Sequence, residues 1–352
     1  MINLTTENFL DLKYLATKVF SPISGFMIYD EYIKVVKEML LLDKSVWTIP
    51  ITLEVDNIKN YTINKNYDLY YNNFLVGKIH IRDKFMIDDG HIYEIYQSKD
   101  HKHPGIKKEK LRSFHRVAGE IEIKEELIKN SLYKNIVKHE FALINQKVQT
   151  IAGFQTRNAI HKAHEYLQRL ALEICDGLFI NPLIGWKKKG DFTQEAVMSS
   201  YNKMFNEFYP KNRVFLRGLE TRMYYAGPRE AVFHALLRRN MGCTHFIIGR
   251  DHAGVKDYYG IYQAQKLAKT LDEKYDLGIE LLLFKEPYYC TKCKQIVTQN
   301  TCDHYDTFRV AISGTEIRNA LQNGIIPDEK FMRKEISEVL ISLGKDNIFI
   351  RE

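Results

Sequence analysis

A cluster of basic and hydrogen-bonding side chains lies near the middle of the chain, where an apolar, β-prone run from Val148 to Phe154 gives way to a helical pattern reaching about Ile174. A strand-to-helix turn offers free backbone N–H groups and a helix dipole, both of which attract anions. The segment therefore predicts a site for phosphates or another multiply charged oxyanion. Its polar members are Gln155, Thr156, Arg157, Asn158, His161 and His164.

Two other interpretations of this segment stay open on the residues alone. Asn158 is a suitable N-cap, so the segment also fits a capped surface helix with incidental histidines. His161 and His164 share one helix face, as two zinc ligands would. A zinc protease motif is absent, however, and no third ligand is evident.

A second polar loop follows a later strand pattern. It reads Gly-Arg-Asp-His-Ala-Gly, and its members are Gly249, Arg250, Asp251, His252, Ala253 and Gly254. The framing glycines permit close backbone approach, and Arg250 can clamp an oxyanion with two parallel hydrogen bonds. The alternative is a hydrophilic connection without a ligand.

Three cysteines and a histidine form a third constellation, Cys290, Cys293, Cys302 and His304. Four such ligands within fifteen positions suit tetrahedral Zn²⁺, and a site filled by protein ligands is structural. A redox pair or free thiols are the alternatives. By contrast, His101 and His103 lie in a charged segment that predicts a solvated loop.

Two further motifs combine turn chemistry with polar side chains. The segment from Tyr225 to Glu230 predicts a turn that leads into a helix. A structural role in the turn and its packing is as well supported as a functional role beside the site. The segment from Ser313 to Arg318 predicts a helix start capped by Ser or Thr.

The elements that position these residues differ between the two parts of the chain. In the first ~130 residues, predicted strands at Trp47–Val55, Tyr70–Ile81 and His91–Tyr96 are separated by Asn, Asp and Gly turns, and one amphipathic helix covers Tyr32–Leu41. We expect a compact β-rich domain there, followed by a polar helical stretch from Lys124 to Lys138.

From about Phe141, strands and helices alternate, which predicts right-handed βαβ units and a parallel sheet. Ligands bind such sheets at the carboxyl ends of the strands, where both polar loops lie. The predicted strands are 148–154, 178–184, 213–219, 244–248 and 279–284, and the predicted helices are 159–174, 193–208, 228–241 and 259–271.

Composition narrows the function classes. The 352 residues suit two or three domains, and the net charge of +7 fits an anionic small substrate as well as nucleic acid. Neither a secretory signal nor a membrane-spanning run is visible, and five cysteines argue against a disulfide framework, so a cytoplasmic protein is expected. The chain lacks three common motifs. Without a P-loop, a P-loop NTPase is disfavoured; without GxGxxG, a dinucleotide oxidoreductase is disfavoured; and without GxSxG, an α/β hydrolase is disfavoured.

Together, the motifs resemble those of the ATP sulfurylase (sulfate adenylyltransferase) family, in the bacterial and archaeal type that lacks an APS kinase domain. The resemblance covers nearly the whole chain, in the right order. It rests on Ser21–Met27, His103–Ile106, Gly153–His164, Tyr225–Ala231, Gly242–Gly254 and Ile312–Arg318. The chain departs from the family pattern at Ala159, Lys162 and Lys256, where proline, arginine and glycine are usual.

The resemblance implies an α/β fold with three domains. These are a PUA-like β-rich N-terminal domain (1–130), a Rossmann-like nucleotidyltransferase domain (131–286) and a small C-terminal lid with a zinc site (287–352). It also implies a homodimer that binds neither nucleic acid nor membranes.

The implied reaction joins sulfate to the α-phosphate of ATP, giving adenosine 5′-phosphosulfate (APS) and pyrophosphate, with Mg²⁺ accompanying the nucleotide. Gln155, Arg157 and the Ala253 backbone would hold sulfate, while Arg250 would lie between sulfate and the α-phosphate. His161 and His164 would donate to phosphate oxygens, and Thr156 and Asn158 would orient the phosphate chain. The implied ATP-binding set comprises Gln155, Thr156, Arg157, Asn158, His161, His164, Gly249, Arg250, Asp251 and His252.

Two rival functions predict different observations. An adenylyltransferase with another acceptor would not depend on sulfate. An RNA-binding protein would place aromatic platforms beside basic residues, whereas the 22 tyrosines are scattered along the chain.

Overall fold

The structure is a computed structural model, and it describes residues 1–351. The strands are β1 Ile2–Asn3, β2 Gly25–Phe26, β3 Leu53–Glu54, β4 Asn66–Tyr71, β5 Phe74–Met86, β6 His115–Ile123, β7 Ile151–Thr156, β8 Gly177–Pro182, β9 Val214–Leu216, β10 His245–Ile248, β11 Glu280–Leu283, β12 Tyr288–Cys290, β13 Gln295–Val297 and β14 Arg309–Ala311. The α-helices are α1 Thr6–Ala16, α2 Tyr29–Glu38, α3 Asp89–Tyr96, α4 Pro104–Lys110, α5 Ile136–Ile144, α6 Lys162–Ile174, α7 Gln194–Glu207, α8 Pro228–Met241, α9 Gln263–Tyr275, α10 Gly314–Gln322, α11 Lys334–Ser342 and α12 Lys345–Ile348. Short 3₁₀ turns lie at Ile58–Asn60, Glu125–Leu127 and Asp306–Phe308.

The chain forms two compact units that interleave along the sequence. The first unit comprises residues 1–136, 224–242 and 251–279, and the second comprises residues 137–223, 243–250 and 280–352. Among residues 1–351, no helix is both long and apolar enough to span a membrane.

The first unit contains a mostly antiparallel sheet in the order β1-β4-β5-β6-β2, with β3 also paired to β6. This confirms the β-rich N-terminal region. The predicted strand Tyr70–Ile81 is confirmed in part: it covers the end of β4 and most of β5, but a hairpin turn interrupts it where Asn72 and Asn73 take positive φ angles of 49° and 66°. Asparagine tolerates this conformation, and a tight hairpin turn requires it.

Three other predictions for this region are wrong. His91–Tyr96 forms helix α3, because the Asp88 side chain accepts the His91 N–H at 2.9 Å and caps it. Within Trp47–Val55 only β3 is a strand, and the stretch from Lys124 to Lys138 is largely turn.

His103 also corrects a prediction, because it is fully buried and not solvated. Its Nδ1 accepts the backbone N–H groups of Gly105 and Ile106 at 3.1 and 3.4 Å, so it caps helix α4. Tyr259 Oη lies 3.2 Å from its other ring nitrogen. The residue therefore has a structural role.

The second unit contains a five-stranded, wholly parallel sheet in the order β11-β10-β7-β8-β9. This confirms the predicted strand and helix alternation. Strand β7 is buried along its whole length, as expected for a central strand covered on both faces. Helices α6, α7, α10 and α11 contribute side chains to the apolar cluster that includes Phe154 and Ile180 of this sheet.

Helix α8 begins and ends where the sequence predicts. Pro228 occupies its first turn, and Gly242 ends it with φ 106° in the left-handed region. Ser313 caps α10 by accepting the Glu316 N–H at 3.2 Å, which confirms the capping interpretation of that motif.

Candidate active site

The strand order creates a topological switch point between β7 and β10. The chain leaves β7 toward β8 on one side, while β10 and β11 lie on the other. Ligands of open α/β sheets bind outside the carboxyl ends of the strands at such a point. The loop after β7 begins with Arg157, and the loop after β10 begins with Gly249 and Arg250.

The loop after β7 is longer than the sequence predicts, because α6 begins at Lys162 and not near Ala159. Asn158 is consequently not the N-cap. Its N–H donates to Thr156 Oγ1 at 3.0 Å, and the Ile160 N–H donates to Ser200 Oγ at 3.2 Å. These bonds divert the chain before the helix starts. His161 occupies the cap position without making a side-chain cap bond.

The two histidines lie together, as their spacing predicts. The His161 and His164 rings stack with centroids 3.7 Å apart and planes 20° from parallel. Burial lowers the pKa of His161 from 6.5 to about 4, with a further contribution from the nearby Arg318 guanidinium. Burial and the neighbouring His161 hold the pKa of His164 well below 6.5. Both rings are therefore neutral near pH 7.

One buried carboxylate faces several cations beside these rings. The Asp191 side chain is 2% exposed, and its oxygens lie 3.4 Å from Arg157 Nε and 3.2 Å from Lys188 Nζ. The charges of Lys187 and Arg318 also act on it. Positive charge thus exceeds negative charge in this group of side chains, an arrangement that favours a bound anion.

The same region contains buried polar atoms that have no hydrogen-bond partner within residues 1–351. They are Gln155 Nε2, His161 Nδ1, His164 Nδ1, Lys187 Nζ and Arg318 Nε. A buried polar group without a partner costs about 1–3 kcal/mol. Their concentration around one loop indicates that the site is built for a polar ligand.

Arg318 is a site residue that the sequence reasoning did not single out. Its Nη2 donates to Asn158 Oδ1 at 3.5 Å, from helix α10 to the loop after β7. The Ser313–Arg318 motif contains this residue, but we used the motif only for a helix cap and for the family resemblance and assigned Arg318 no role in the site. Lys187 and Asp191 were also missed, because their separation from Arg157 in sequence hides their proximity.

The second polar loop divides between the two units. In the second unit, Arg250 Nε lies 3.3 Å from Glu286 Oε1, and both side chains are partly exposed. In the first unit, Ala253 and Lys256 take positive φ angles of 59° and 47°. The family's usual glycine at position 256 fits this conformation, which lysine adopts only with strain.

Within the first unit, His252 contacts a buried histidine, His234, which in turn lies beside a buried carboxylate. His234 Nδ1 lies 3.1 Å from His252 Nε2, and His234 Nε2 lies 3.5 Å from Glu230 Oε1. Glu230 accepts the backbone N–H groups of Tyr224 and Ala226 at 2.9 and 3.1 Å. The Tyr225–Glu230 motif therefore acts in turn formation and packing, and it also supports His252.

The cysteine cluster has the geometry of a tetrahedral metal site. Cys290 ends β12, Cys293 lies in the tight connection to β13, and the ligand atoms of all four residues lie within 4.8 Å of one another. His304 Nδ1 lies 3.5, 3.2 and 3.3 Å from the sulfurs of Cys290, Cys293 and Cys302. Tetrahedral Zn²⁺ places its ligand atoms about 3.5–3.8 Å apart, so these residues fit a zinc ion.

The lowered pKa values of the two histidines predict a stability profile. An unfolded histidine binds a proton below about pH 6.5, whereas folded His161 does so only near pH 4, so the free energy of unfolding should fall as pH drops between these values. At about 1.4 kcal/mol per pKa unit, His161 contributes at most about 3 kcal/mol. Urea unfolding of wild type and His161→Asn between pH 7 and 4 measures this. Parallel profiles for the two proteins would contradict the assignment.

Comparisons with known proteins agree with this architecture. The sequence model of a PUA-like domain matches residues 1–126, and a hexameric APS kinase from Thiobacillus denitrificans superimposes with a TM-score of 0.72. That structure is 18% identical, and the match covers 98% of this chain and 63% of that chain, so it supports the fold alone. The fold and these matches together define a protein with a PUA-like N-terminal domain and a Rossmann-like α/β domain.

The sequence model of the ATP-sulfurylase family matches residues 107–343. A sulfate adenylyltransferase of Staphylothermus marinus is 39% identical over 346 residues, covering 97% of this chain and 90% of the relative. One from Halothermothrix orenii is 39% identical over 355 residues, covering 97% and 91%. The chain belongs to the ATP-sulfurylase family.

Proposed function

We propose that this protein is a sulfate adenylyltransferase, which joins sulfate to the α-phosphate of ATP and releases pyrophosphate. The observation that carries the proposal is the concentration of cations and unpartnered buried donors at the switch point of the parallel sheet. Both substrates are multiply charged oxyanions, and such a site is suited to bring two of them together. The names of the relatives add the acceptor, sulfate.

Sulfate is a weak nucleophile that must approach a polyanion. A covalent intermediate on the protein is unnecessary, because sulfate oxygen can attack the α-phosphorus in line and displace pyrophosphate in one step. The sulfate O–P bond forms as the bond between the α-phosphorus and the bridging oxygen breaks. Catalysis then consists of positioning and charge neutralisation.

The geometry of the second unit and the family resemblance support the following residue roles. Gln155 and Arg157 bind sulfate, since Arg157 presents a planar fork beside the excess positive charge. Thr156 and Asn158 shape the loop and orient the phosphates. His161 and His164 stabilise pyrophosphate as it leaves.

The assignments in the second polar loop rest on the family resemblance. Arg250 lies between sulfate and the α-phosphate in that assignment, and Gly249 contributes to ATP binding. Asp251 and His252 bind ATP, and the Ala253 backbone binds sulfate. Mg²⁺ would neutralise phosphate charge when bound with ATP, without a dedicated protein cage.

We also propose that Cys290, Cys293, Cys302 and His304 hold a structural zinc ion, because their spacing fits a closed tetrahedral site. That site would belong to a C-terminal lid of residues 287–352, after a PUA-like domain (1–130) and a catalytic domain (131–286). The protein would be a cytoplasmic homodimer that binds neither nucleic acid nor membranes. The five free cysteines fit a reducing compartment.

Exchange of labelled pyrophosphate into ATP tests the proposed function against an adenylyltransferase with another acceptor. We expect exchange that requires sulfate, because pyrophosphate can re-form ATP only from APS. Exchange that proceeds equally well without sulfate would contradict the proposal. Reaction of synthetic APS with pyrophosphate provides the matching control for an active preparation.

A further inference from the structure

Lys187 is a buried lysine whose backbone is fixed on both sides. The residue is 2% exposed. The preceding Gly185 packs so closely on Thr221 that a Cβ atom would lie 2.1 Å from the Thr221 carbonyl oxygen. The Met223 N–H donates to the Trp186 carbonyl at 2.8 Å. The position of Lys187 is therefore a consequence of the fold and not of a mobile surface loop.

The segment after Lys187 is fixed as well. The Gly190 N–H donates to the Ile350 carbonyl at 2.9 Å, and the Ile350 N–H donates to the Asp191 carbonyl at 2.9 Å. A φ angle of 85° at Gly190 allows this turn. The loop that contains Lys187 and Asp191 thus holds both charges in place beside Arg157.

The Lys187 ammonium has no hydrogen-bond partner within residues 1–351. An ammonium group normally keeps water or an acceptor around its three donors, and burial without them is costly. Asp191 favours the charged form, whereas Arg157 opposes it, and burial is the dominant effect. Burial lowers the pKa of Lys187 to about 8.

A purely structural explanation fits this lysine poorly. A buried apolar side chain of similar length would avoid the cost of desolvation and the repulsion by Arg157. Asp191 does not need Lys187 for charge compensation, because Arg157 and Lys188 both contact its carboxylate. A bound oxyanion, by contrast, would supply the acceptor that the Lys187 ammonium lacks.

We propose that Lys187 is a further ligand of the oxyanion that Arg157 binds, and that its ammonium donates directly to that oxyanion. This inference rests on the proposed function, which makes sulfate the first candidate for the oxyanion and a phosphate group of ATP the second. Lys187 then completes, with Arg157 and Gln155, a set of charged and neutral donors around one tetrahedral anion.

Steady-state kinetics of Lys187→Met and Lys187→Arg test the proposal. A charge-assisted hydrogen bond contributes about 1.5–3 kcal/mol, so Lys187→Met should raise the KM of its ligand by about 10- to 100-fold. Lys187→Arg should recover part of that loss. The matched control is Lys189→Met, because Lys189 is exposed in the same loop. A rise in the KM for sulfate identifies sulfate as the ligand, and a rise in the KM for ATP identifies a phosphate.

Thermal unfolding separates a ligand-binding role from a structural one. Without anions, Lys187→Met should unfold at the wild-type temperature or above it, because an unpartnered buried charge has been removed. Stabilisation by added sulfate or pyrophosphate should be smaller in Lys187→Met than in wild type. Equal KM values and equal anion-dependent shifts in wild type and Lys187→Met would overturn the proposal. Lys187→Gln serves the same comparisons if the methionine variant does not fold.

The pH dependence provides an independent readout. The charged groups that act on Lys187 are Arg157 from the loop after β7 and Asp191 from its own loop. Lys188 from the same loop and Arg318 from α10 act on Asp191 as well. Deprotonation of Lys187 above about pH 8 removes its charge, so the KM of its ligand should rise with pH in wild type. Lys187→Arg should show a flatter profile, because guanidinium stays charged. Identical profiles would contradict the proposal.

These experiments distinguish failure of the Lys187 inference from failure of the proposed function. If wild type shows no sulfate-dependent exchange, the proposed function fails. The anion-dependent thermal shifts, with sulfate and pyrophosphate as probes, then decide the role of Lys187 on their own. A reduced shift in Lys187→Met supports anion binding, and an unchanged shift overturns it.

Discussion

Arg157→Ala will lower kcat/KM for sulfate by about 100-fold or more. Removing a single preorganised donor from a site of developing charge costs about 3 kcal/mol, which corresponds to at least 100-fold in rate. Arg157 also contacts the buried carboxylate of Asp191. Without Arg157, less positive charge would offset the repulsion between that carboxylate and the anionic substrates. Sulfate-dependent pyrophosphate release, measured at several sulfate concentrations, gives the effect.

Two further variants make this result specific. Arg157→Lys retains the charge but not the bidentate fork, so we expect an activity between those of wild type and Arg157→Ala. Arg82→Ala is the control, because Arg82 forms an exposed ion pair with Glu120 and such pairs contribute little. The role assigned to Arg157 is wrong if Arg157→Ala keeps its activity within a few-fold of wild type.

Cys290→Ser will abolish zinc binding and weaken the C-terminal region. Serine is a poor zinc ligand, and structural zinc contributes directly to folding free energy. Cys290 is fully buried at the end of β12, which pairs with both β13 and β14. Loss of the ion should therefore loosen this three-stranded sheet. Metal analysis should find about one zinc per chain in wild type and almost none in the variant.

Cys175→Ala provides the matched control for the zinc prediction. Cys175 is a buried free cysteine in the core cluster beside the parallel sheet, and it is not part of the metal-binding group. The Cys175→Ala variant should therefore keep its zinc. Limited proteolysis should cleave the C-terminal region faster in Cys290→Ser than in Cys175→Ala. Stoichiometric zinc in Cys290→Ser would remove Cys290 from the ligand set.

The parallel sheet was predictable because its signals are local and agree with one another. Apolar strands alternate with amphipathic helices, and Pro228 and Gly242 mark both ends of α8. The cysteine cluster was predictable for the same reason, since its ligands are close in sequence. The strand prediction for His91–Tyr96 was wrong because a short apolar pattern is compatible with a strand or a helix. The Asp88 side chain caps the segment and so favours the helix.

The composition of the site was less predictable than its location. The sequences of the loops after β7 and β10 contain the expected polar residues. They do not, however, predict that these two strands are neighbours in the sheet. Lys187, Asp191 and Arg318 join Arg157 only through tertiary structure. The left-handed conformation at Lys256 is also invisible without coordinates, since lysine rarely adopts it.

The central claim is that sulfate attacks ATP directly at this site, and pyrophosphate release tests it most directly. With ATP, Mg²⁺ and sulfate, we predict pyrophosphate release that depends on sulfate and yields APS. Molybdate should replace sulfate as the tetrahedral oxyanion and sustain release while ATP is converted to AMP. Pyrophosphate release that is independent of both oxyanions, or none with either of them, would contradict the account.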